Sequence, residues 1–352
     1  MPWTPIHASV HRTIRARNLL QKSQRLLVAV SGGQDSLCLM RLLLDLQPKW
    51  NWTLAIAHCN HRWRMDASAN ADYVEQLSQG WEIPYFGVAA VDSPTSEAAA
   101  REWRYGALAE VAQKQGYAAV VTGHTASDRA ETLLYNLIRG SGADGLQALT
   151  WQRELNPGLH LVRPLLEITR AETAQFCQTA QLQVWQDSTN QDLHYARNRI
   201  RQELLPYLKT HFNPQVEQAL SQTAELLRGD IDYLETAATA LRQQATTAEL
   251  SASAQTSAQT SPQQGVEYWL NRLVLKSAHS ALQRRVMRQW LRQALPAAPN
   301  FEQIEKLTAL ISAPNRTQTD PFPGGAIATV QGDWICLKTP DAVCSFPKLP
   351  SP

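Results

Sequence analysis

Residues 25–36 read Arg-Leu-Leu-Val-Ala-Val-Ser-Gly-Gly-Gln-Asp-Ser. The first seven are an almost wholly apolar run, the pattern of a strand covered on both faces. Gly32 and Gly33 follow, and residues 36–46 take the apolar spacing of a helix. A strand, a glycine turn and a helix start together make an anion cradle. The glycines let the backbone pass close to a phosphate, and the helix start offers free N–H groups at the positive end of its dipole. The serine hydroxyls add donors, and Asp35 is placed to hold a cation bridging phosphates. No Gly-x-x-x-x-Gly-Lys-Ser/Thr occurs, so this is not a Walker-type loop. An ordinary glycine-rich turn is the bland alternative, and the complete hexapeptide in this context weighs against it.

Outward from this stretch, strand and helix patterns alternate. Residues 53–58, 83–88 and 118–122 read as strands, and residues 66–79, 96–115 and 127–138 as helices. Residues 8–21 read as a short basic helix. Alternating short strands and helices predict a parallel sheet covered on both faces, with ligands beyond the carboxyl ends of the strands. Residues 31–36, 58–61 and 123–128 then share one edge. After the Pro157-Gly158 turn the helices are expected to lengthen. Residues 244–262 repeat Ala-Gln-Thr-Ser and have almost no apolar bulk, which predicts a flexible linker. Beyond it, residues 268–295 and 301–312 read as helices and 326–337 carry strand character. The expected fold is α/β, a parallel sheet with helices on both faces, plus a smaller, mainly helical C-terminal domain. The expected divisions are 1–215, a helical linker 216–262, and 263–345.

Composition narrows the function classes. The 352 residues carry 18% charged side chains and a net charge of +2, neither a polyanion-coating protein nor an acidic disordered one. Five Lys/Arg precede the first acid, Asp35. The five cysteines are scattered with no Cys-x-x-Cys pair, against a disulfide framework or a cysteine-held cluster. No apolar run approaches the roughly 18–20 residues that span a bilayer, and the basic N-terminus lacks a cleavage signature. A cytoplasmic protein without membrane contact is expected.

Other residues gather at the predicted ligand edge. Asp128, Glu131 and Tyr135 share one helix face, with Leu133, Leu134, Leu137 and Ile138 expected on the buried side. Arg101 and Arg104 stand three apart and could clamp phosphates. Arg197 and Arg201 form a basic stripe opposite Ile200, Leu204 and Leu208. Solvated helix faces are the alternative for each set. His58 and His61 flank Cys59, but nothing completes a zinc site, so they read as polar groups lining a nucleotide pocket. Residues 271–300 contain no acid. Arg284, Arg288 and Arg292 are expected outward and Leu282, Val286 and Trp290 inward, a cationic helix for nucleic-acid phosphates or a solvated surface helix.

The hexapeptide Ser31-Gly32-Gly33-Gln34-Asp35-Ser36 is similar to the signature loop of the PP-loop ATP pyrophosphatases, which split ATP into AMP and pyrophosphate. Further motifs follow in order: His58-Cys59-Asn60-His61, Arg101-Glu102-Trp103-Arg104-Tyr105, Gly123-His124 with Asp128 and Glu131-Thr132, Arg139-Gly140-Ser141-Gly142, Arg163-Pro164-Leu165-Leu166, Trp185 to Asn190, and Arg197-Asn198-Arg199-Ile200-Arg201. The series resembles the tRNA(Ile)-lysidine synthetases over roughly residues 20–215. Residues 284–291 and 301–310 resemble, more weakly, that family's substrate-binding domain.

The resemblance implies ATP-dependent ligation of L-lysine to C2 of the wobble cytidine of tRNA(Ile) with a CAU anticodon, through an adenylated intermediate. Ser31, Gly32, Gly33, Gln34, Asp35, Ser36, His58, Gly123 and His124 would bind ATP. Asp35, Arg104, Asp128, Glu131 and Arg197 would be catalytic, Asp35 and Asp128 would meet Mg²⁺, and Arg201, Arg284, Arg288 and Arg292 would bind tRNA. A homodimer is compatible with the sequence. The family usually has two adjacent acids before the Glu-Thr pair; here Ser127 replaces the first. Rival readings are a base-thiolating relative, disfavoured by the missing Cys-x-x-Cys, a small-molecule synthetase, and an inactive tRNA-binding module.

Overall fold

In the computed structural model, residues 3–63, 65–186, 192–247 and 267–339 are described. After helix α1 (Pro5–Ala16), the apolar run 25–36 forms β1 (Arg25–Ala29), the loop, and α2 (Gln34–Trp50). Leu26 and Val28 face one side of the sheet and pack with Ile14 and Leu42. Leu27 faces the other, with Leu108 and Ala112. Period-two alternation thus feeds two cores from one strand, each buried residue contributing about 1.5–3 kcal/mol.

The chain continues through β2 (Thr53–Asn60), α3 (Ala67–Gly80), β3 (Tyr85–Ala89), α4 (Glu97–Gln115), β4 (Ala119–Thr122), α5 (Ala126–Ile138) and the single turn α6 (Ala143–Leu146). Strand order is β3-β2-β1-β4-β6-β5, with β5 (Gln152–Asn156) antiparallel at the edge and β6 (Leu159–Val162) parallel to β4. β1 pairs with β2 on one side and β4 on the other, Val28 standing opposite both Ile56 and Val121. The winding reverses between β1 and β4, which opens a crevice beyond their carboxyl ends. Helix starts there are fixed locally. Ser96 caps α4 by accepting from the Ala99 N–H, and Thr125 and Asp128 form a capping box at α5.

Three features differ from expectation in this part. The Pro157-Gly158 turn joins β5 to β6, a hairpin that is not expected because four residues of β6 are too few to show a period, and the expected lengthening comes only later, at the 32-residue helix Val216–Thr247. Leu137 and Ile138 are exposed, at 53% and 67%, because the buried stripe of α5 ends at Leu133 and Leu134. Arg201 does not lie on an outward basic face; its side chain reaches the carboxylates of α5.

Beyond β6 come α7 (Arg170–Thr179), α8 (Ala196–Arg199), a π turn at Ile200–Leu204, α9 (Leu205–His211) and the long α10 (Val216–Thr247). The chain divides into two compact units, Met1–Arg228 and Gly229–Pro352, and the division falls within α10. The expected linker is helical as far as Thr247, and its remainder lies outside the described residues. In the second unit β7 (Glu267–Asn271), β9 (Trp334–Lys338) and β8 (Ile327–Gln331) form an antiparallel sheet in that order. Residues 268–271, expected as helix, are therefore strand, and Asn271 caps the helix that follows. Helices Ser280–Ala294 and Phe301–Ala309 pack Val286, Trp290 and Leu307 into this unit's core.

Candidate active site

The loop after β1 is held by its own side chains. Ser36 Oγ donates to the Gly33 carbonyl at 2.8 Å and accepts from the Ser31 N–H at 3.1 Å. Asn70 donates to the Ser31 carbonyl at 2.9 Å. Gly32 has φ +82°, and a Cβ there would stand 2.4 Å from Asn70 Oδ1, so no other residue fits without displacement. Gly123, after β4, permits the closest approach of the two chain segments: a Cβ there would meet the Asp35 carbonyl oxygen at 2.7 Å.

A cavity of about 740 Å³ opens here, a size suited to a nucleotide-scale ligand. Among the expected residues, Ser31, Gly33, Gln34, Asp35, Ser36, Arg104, Gly123, His124, Asp128 and Arg201 line it. Gly32 shapes the loop from behind. His58 does not line the cavity, against expectation: it is buried, and its Nδ1 meets the Val30 carbonyl at 2.8 Å. The physical reason is strand parity, since Ala57, Cys59 and His61 face the cavity and His58 between them cannot. Burial pushes the Cys59 thiol up to about 11, so it is a protonated group at neutral pH and no nucleophile.

The centre of the site is a residue that sequence reasoning missed. Arg170, at the start of α7, donates from Nε to Asp35 Oδ2 at 3.1 Å, from one terminal nitrogen to Glu131 at 3.0 Å and from the other to Asp128 at 2.8 Å. Arg201 grips both oxygens of Glu131, at 2.7 and 2.8 Å. A cation in the first turn of a helix works against the dipole. That misfit, directly after the Thr169 cap, was the available signal.

The carboxylates are tuned apart. Burial raises the pKa of Asp35, and the nearby Asp128 adds to the rise against the Arg170 guanidinium. Burial also pushes Asp128 up, but Arg170 and the Thr125 N–H, among others, bring it below the usual carboxylate range. His124 falls to about 3 through burial and the Arg163 charge, and is neutral. Arg101 and Arg104 stack over Tyr105, at 5.3 and 5.4 Å, and Arg104 reaches the cavity. Arg197 stands over the Tyr135 ring at 5.6 Å, outside the cavity lining. Ser127, where the resemblance implies an acid, donates to Glu217 at 2.5 Å and accepts from the Arg170 N–H at 3.1 Å.

All four oxygens of Asp35 and Asp128 accept protein hydrogen bonds: from Thr173 and Arg170 at Asp35, and from Thr125 and Arg170 at Asp128. Asp35 Oδ1 also accepts from Gln34 and Asp128 Oδ2 from the Thr125 hydroxyl, so the oxygens with a further lone pair are Asp35 Oδ2 and Asp128 Oδ1, both on Arg170. The pair therefore suits an ion whose other ligands come from substrate. No group of three such side chains among the described residues is placed to cage a metal.

A PP-loop domain profile matches residues 6–208, and a TilS substrate binding domain profile matches residues 270–333. A tRNA(Ile)-lysidine synthase of Nostoc sp. is 63% identical over 96% of this chain and 98% of its own length. The chain belongs to the tRNA(Ile)-lysidine synthase family. A second such synthase, from Synechocystis sp., is 50% identical over 95% of this chain and 98% of its own. The fold is also that of a U34-tRNA thiolase, NcsA, from Methanococcus maripaludis, with a TM-score of 0.54 and 17% identity over 63% of this chain and 78% of that one. No helix among the described residues is long and apolar enough to cross a membrane.

In the second unit the lysidine-synthase resemblance meets a different charge pattern from the one expected. Arg288 is half-buried and pairs with Glu235, which also takes Arg285. Arg284 pairs with Glu305 at 2.6 Å, and Arg292 is exposed. The acids come from outside residues 271–300, so the run itself could not reveal them. Residues 187–190 of the expected motif lie outside the described residues.

Proposed function

We propose that the chain joins L-lysine to C2 of the wobble cytidine of tRNA(Ile) with a CAU anticodon, using ATP and releasing AMP and pyrophosphate, in the cytoplasm. The observation that carries this reading is one cavity lined both by the anion cradle, Ser31, Gly33, Gln34 and Ser36, and by two carboxylates, Asp35 and Asp128, with Glu131 buried behind them on Arg170 and Arg201. A nucleotide phosphate and a cationic amine find opposite ends of the same site.

The C2 oxygen of cytosine is a poor leaving group, so it first attacks the α-phosphorus of ATP and displaces pyrophosphate. The lysine ε-nitrogen then adds to C2, and the C2–O bond breaks with AMP as the leaving group. The amine, with a free pKa near 10.4, must give up a proton before it attacks. Gly32, Gly33 and Gln34 seat the phosphates, Arg104 faces the charge that develops on the α-phosphate, and Glu131 with Asp128 orients the amine. Arg197 and Arg292 meet tRNA phosphate. Arg201 belongs with the amine carboxylates by its contacts. Mg²⁺ would be held by Asp35 and Asp128 together with ATP, where it would offset phosphate charge.

The test is incubation with ATP, labelled lysine and transcripts of CAU-anticodon tRNA of isoleucine and methionine type. Label enters the isoleucine transcript and not the other. Equal labelling of both, or of neither, removes the reading.

A further inference from the structure

Arg170 touches all three carboxylates of the site. Its partners come from different parts of the chain: Asp35 from the loop after β1, and Asp128 and Glu131 from α5. Its backbone is fixed as well, through Ser127, which is tied to Glu217. Thr173, one turn along α7, donates to the second oxygen of Asp35, and Gln34 donates to Thr173 and to the Arg170 carbonyl at 2.7 Å each. The guanidinium is thus held from both ends and has no freedom to leave at small cost.

Charge counting gives this clamp a meaning. Three carboxylates face two guanidinia, Arg170 and Arg201, so the group carries one net negative charge. His124, beside it, is neutral. One residual negative charge complements one ammonium. Without Arg170 the same carboxylates would carry two, the charge that a divalent ion requires, and their inner oxygens would be uncovered.

We propose that Arg170 is a specificity-determining positioning residue: it gathers Asp35, Asp128 and Glu131 into a receptor for a single amine charge and, as long as no nucleotide phosphate shares the ion, denies the bare carboxylates to divalent cations. The identity of that amine as lysine rests on the function proposed above. The denial of divalent ions does not.

The experiment titrates Mn²⁺ against the nucleotide-free full-length protein, read by electron paramagnetic resonance, for wild type, Arg170→Lys and Arg170→Gln. Arg170→Gln binds Mn²⁺ about tenfold tighter or more, as expected when one opposing charge within contact distance is removed. Arg170→Lys, which keeps the charge but not the three-pronged geometry, stays within a few-fold of wild type. Adding Asp128→Asn to Arg170→Gln abolishes the gain. In steady state, the KM for lysine of Arg170→Gln rises several-fold with free Mg²⁺ while that of wild type does not, a split that a merely structural role would not produce. Circular dichroism melting reports whether Arg170→Gln folds; if it does not, Arg170→Met replaces it as the charge-removing variant in the same comparison. Mn²⁺ affinity unchanged in the folded charge-removing variant, or a gain that survives Asp128→Asn, overturns the assignment. Absence of lysine transfer by wild type would instead overturn the reading of the amine and leave the Mn²⁺ result standing.

Discussion

Asp35 illustrates how one residue can serve the site at the expense of the fold. Burial and the neighbouring Asp128 raise its pKa, and Arg170 only partly offsets them. A carboxylate whose folded pKa is raised is less favourable when ionised in the native state than in the unfolded one. Its cost to stability is therefore present at neutral pH and disappears as pH falls below that pKa. Asp35→Asn removes the charge without changing the shape. It should melt at the same temperature as wild type, or higher, at pH 7, and the difference should shrink at acid pH. AMP release should fall by about 10²-fold or more, because a group aimed at developing charge is lost. Paired melting curves and AMP assays decide this, and a variant markedly less stable at pH 7 would contradict it. His58 shows the opposite allocation: a residue at the ligand edge whose side chain turns away to hold the Val30 carbonyl.

At the scale of elements, α5 depends on α10. Arg129 of α5 is 1% exposed, and its charge is met by Glu225, which also takes Arg17, Arg228 and the Trp151 N–H. Burial pushes the Glu225 carboxyl up, but the hydrogen bonds from Arg228 and Trp151 and the charge of Arg129 hold it down at about 2. This is a depressed folded pKa. Its contribution is present above the ordinary value near 4.5 and is lost as pH falls through the window down to about 2. Glu225→Ala leaves Arg129 buried without a counter-charge and should cost roughly 3–5 kcal/mol at pH 7. In urea unfolding the gap between variant and wild type should narrow at pH 3; a constant gap would mean that packing, not charge, holds α5. What the sequence could reveal of this architecture was what is local. The strand-glycine-helix stretch, the Ser96 cap and the Gly116 stop lie within a few residues of the features they specify. Arg170 finds its carboxylates 135, 42 and 39 positions away, and no periodicity reaches that far. The β5–β6 hairpin and the strand at 267–271 escaped for a related reason: each is short, and its partner strand supplies the pairing that makes it a strand. Parity along β2 was legible and would have separated Cys59 from His58.

For the whole molecule, recognition of tRNA depends on which of its cations have no internal carboxylate to answer to. The net charge of +2 says little, because many arginines are committed inside the protein. On helix Ser280–Ala294, Arg285 and Arg288 answer to Glu235, a half-buried pairing that a phosphate would have to break. Arg284 and Glu305 form an exposed pair, screened by solvent, which a phosphate can replace with little loss. Arg292 is exposed. Each phosphate that a cation neutralises releases condensed counterions and adds about 0.7–0.9 to the slope of log affinity against log salt. Arg292→Ala should therefore lower that slope by nearly one unit, and Arg284→Ala by less, since Glu305 already neutralises part of the Arg284 charge. Arg288→Ala should leave the slope unchanged and instead lower the melting temperature, because Glu235 loses a partner in the interior of its unit. Filter binding of tRNA across a salt series, with melting curves for each variant, separates the two kinds of arginine. If Arg292→Ala and Arg288→Ala shift the slope equally, the internal pairing does not decide which cations reach tRNA, and the charge pattern of this helix has to be assigned to stability alone.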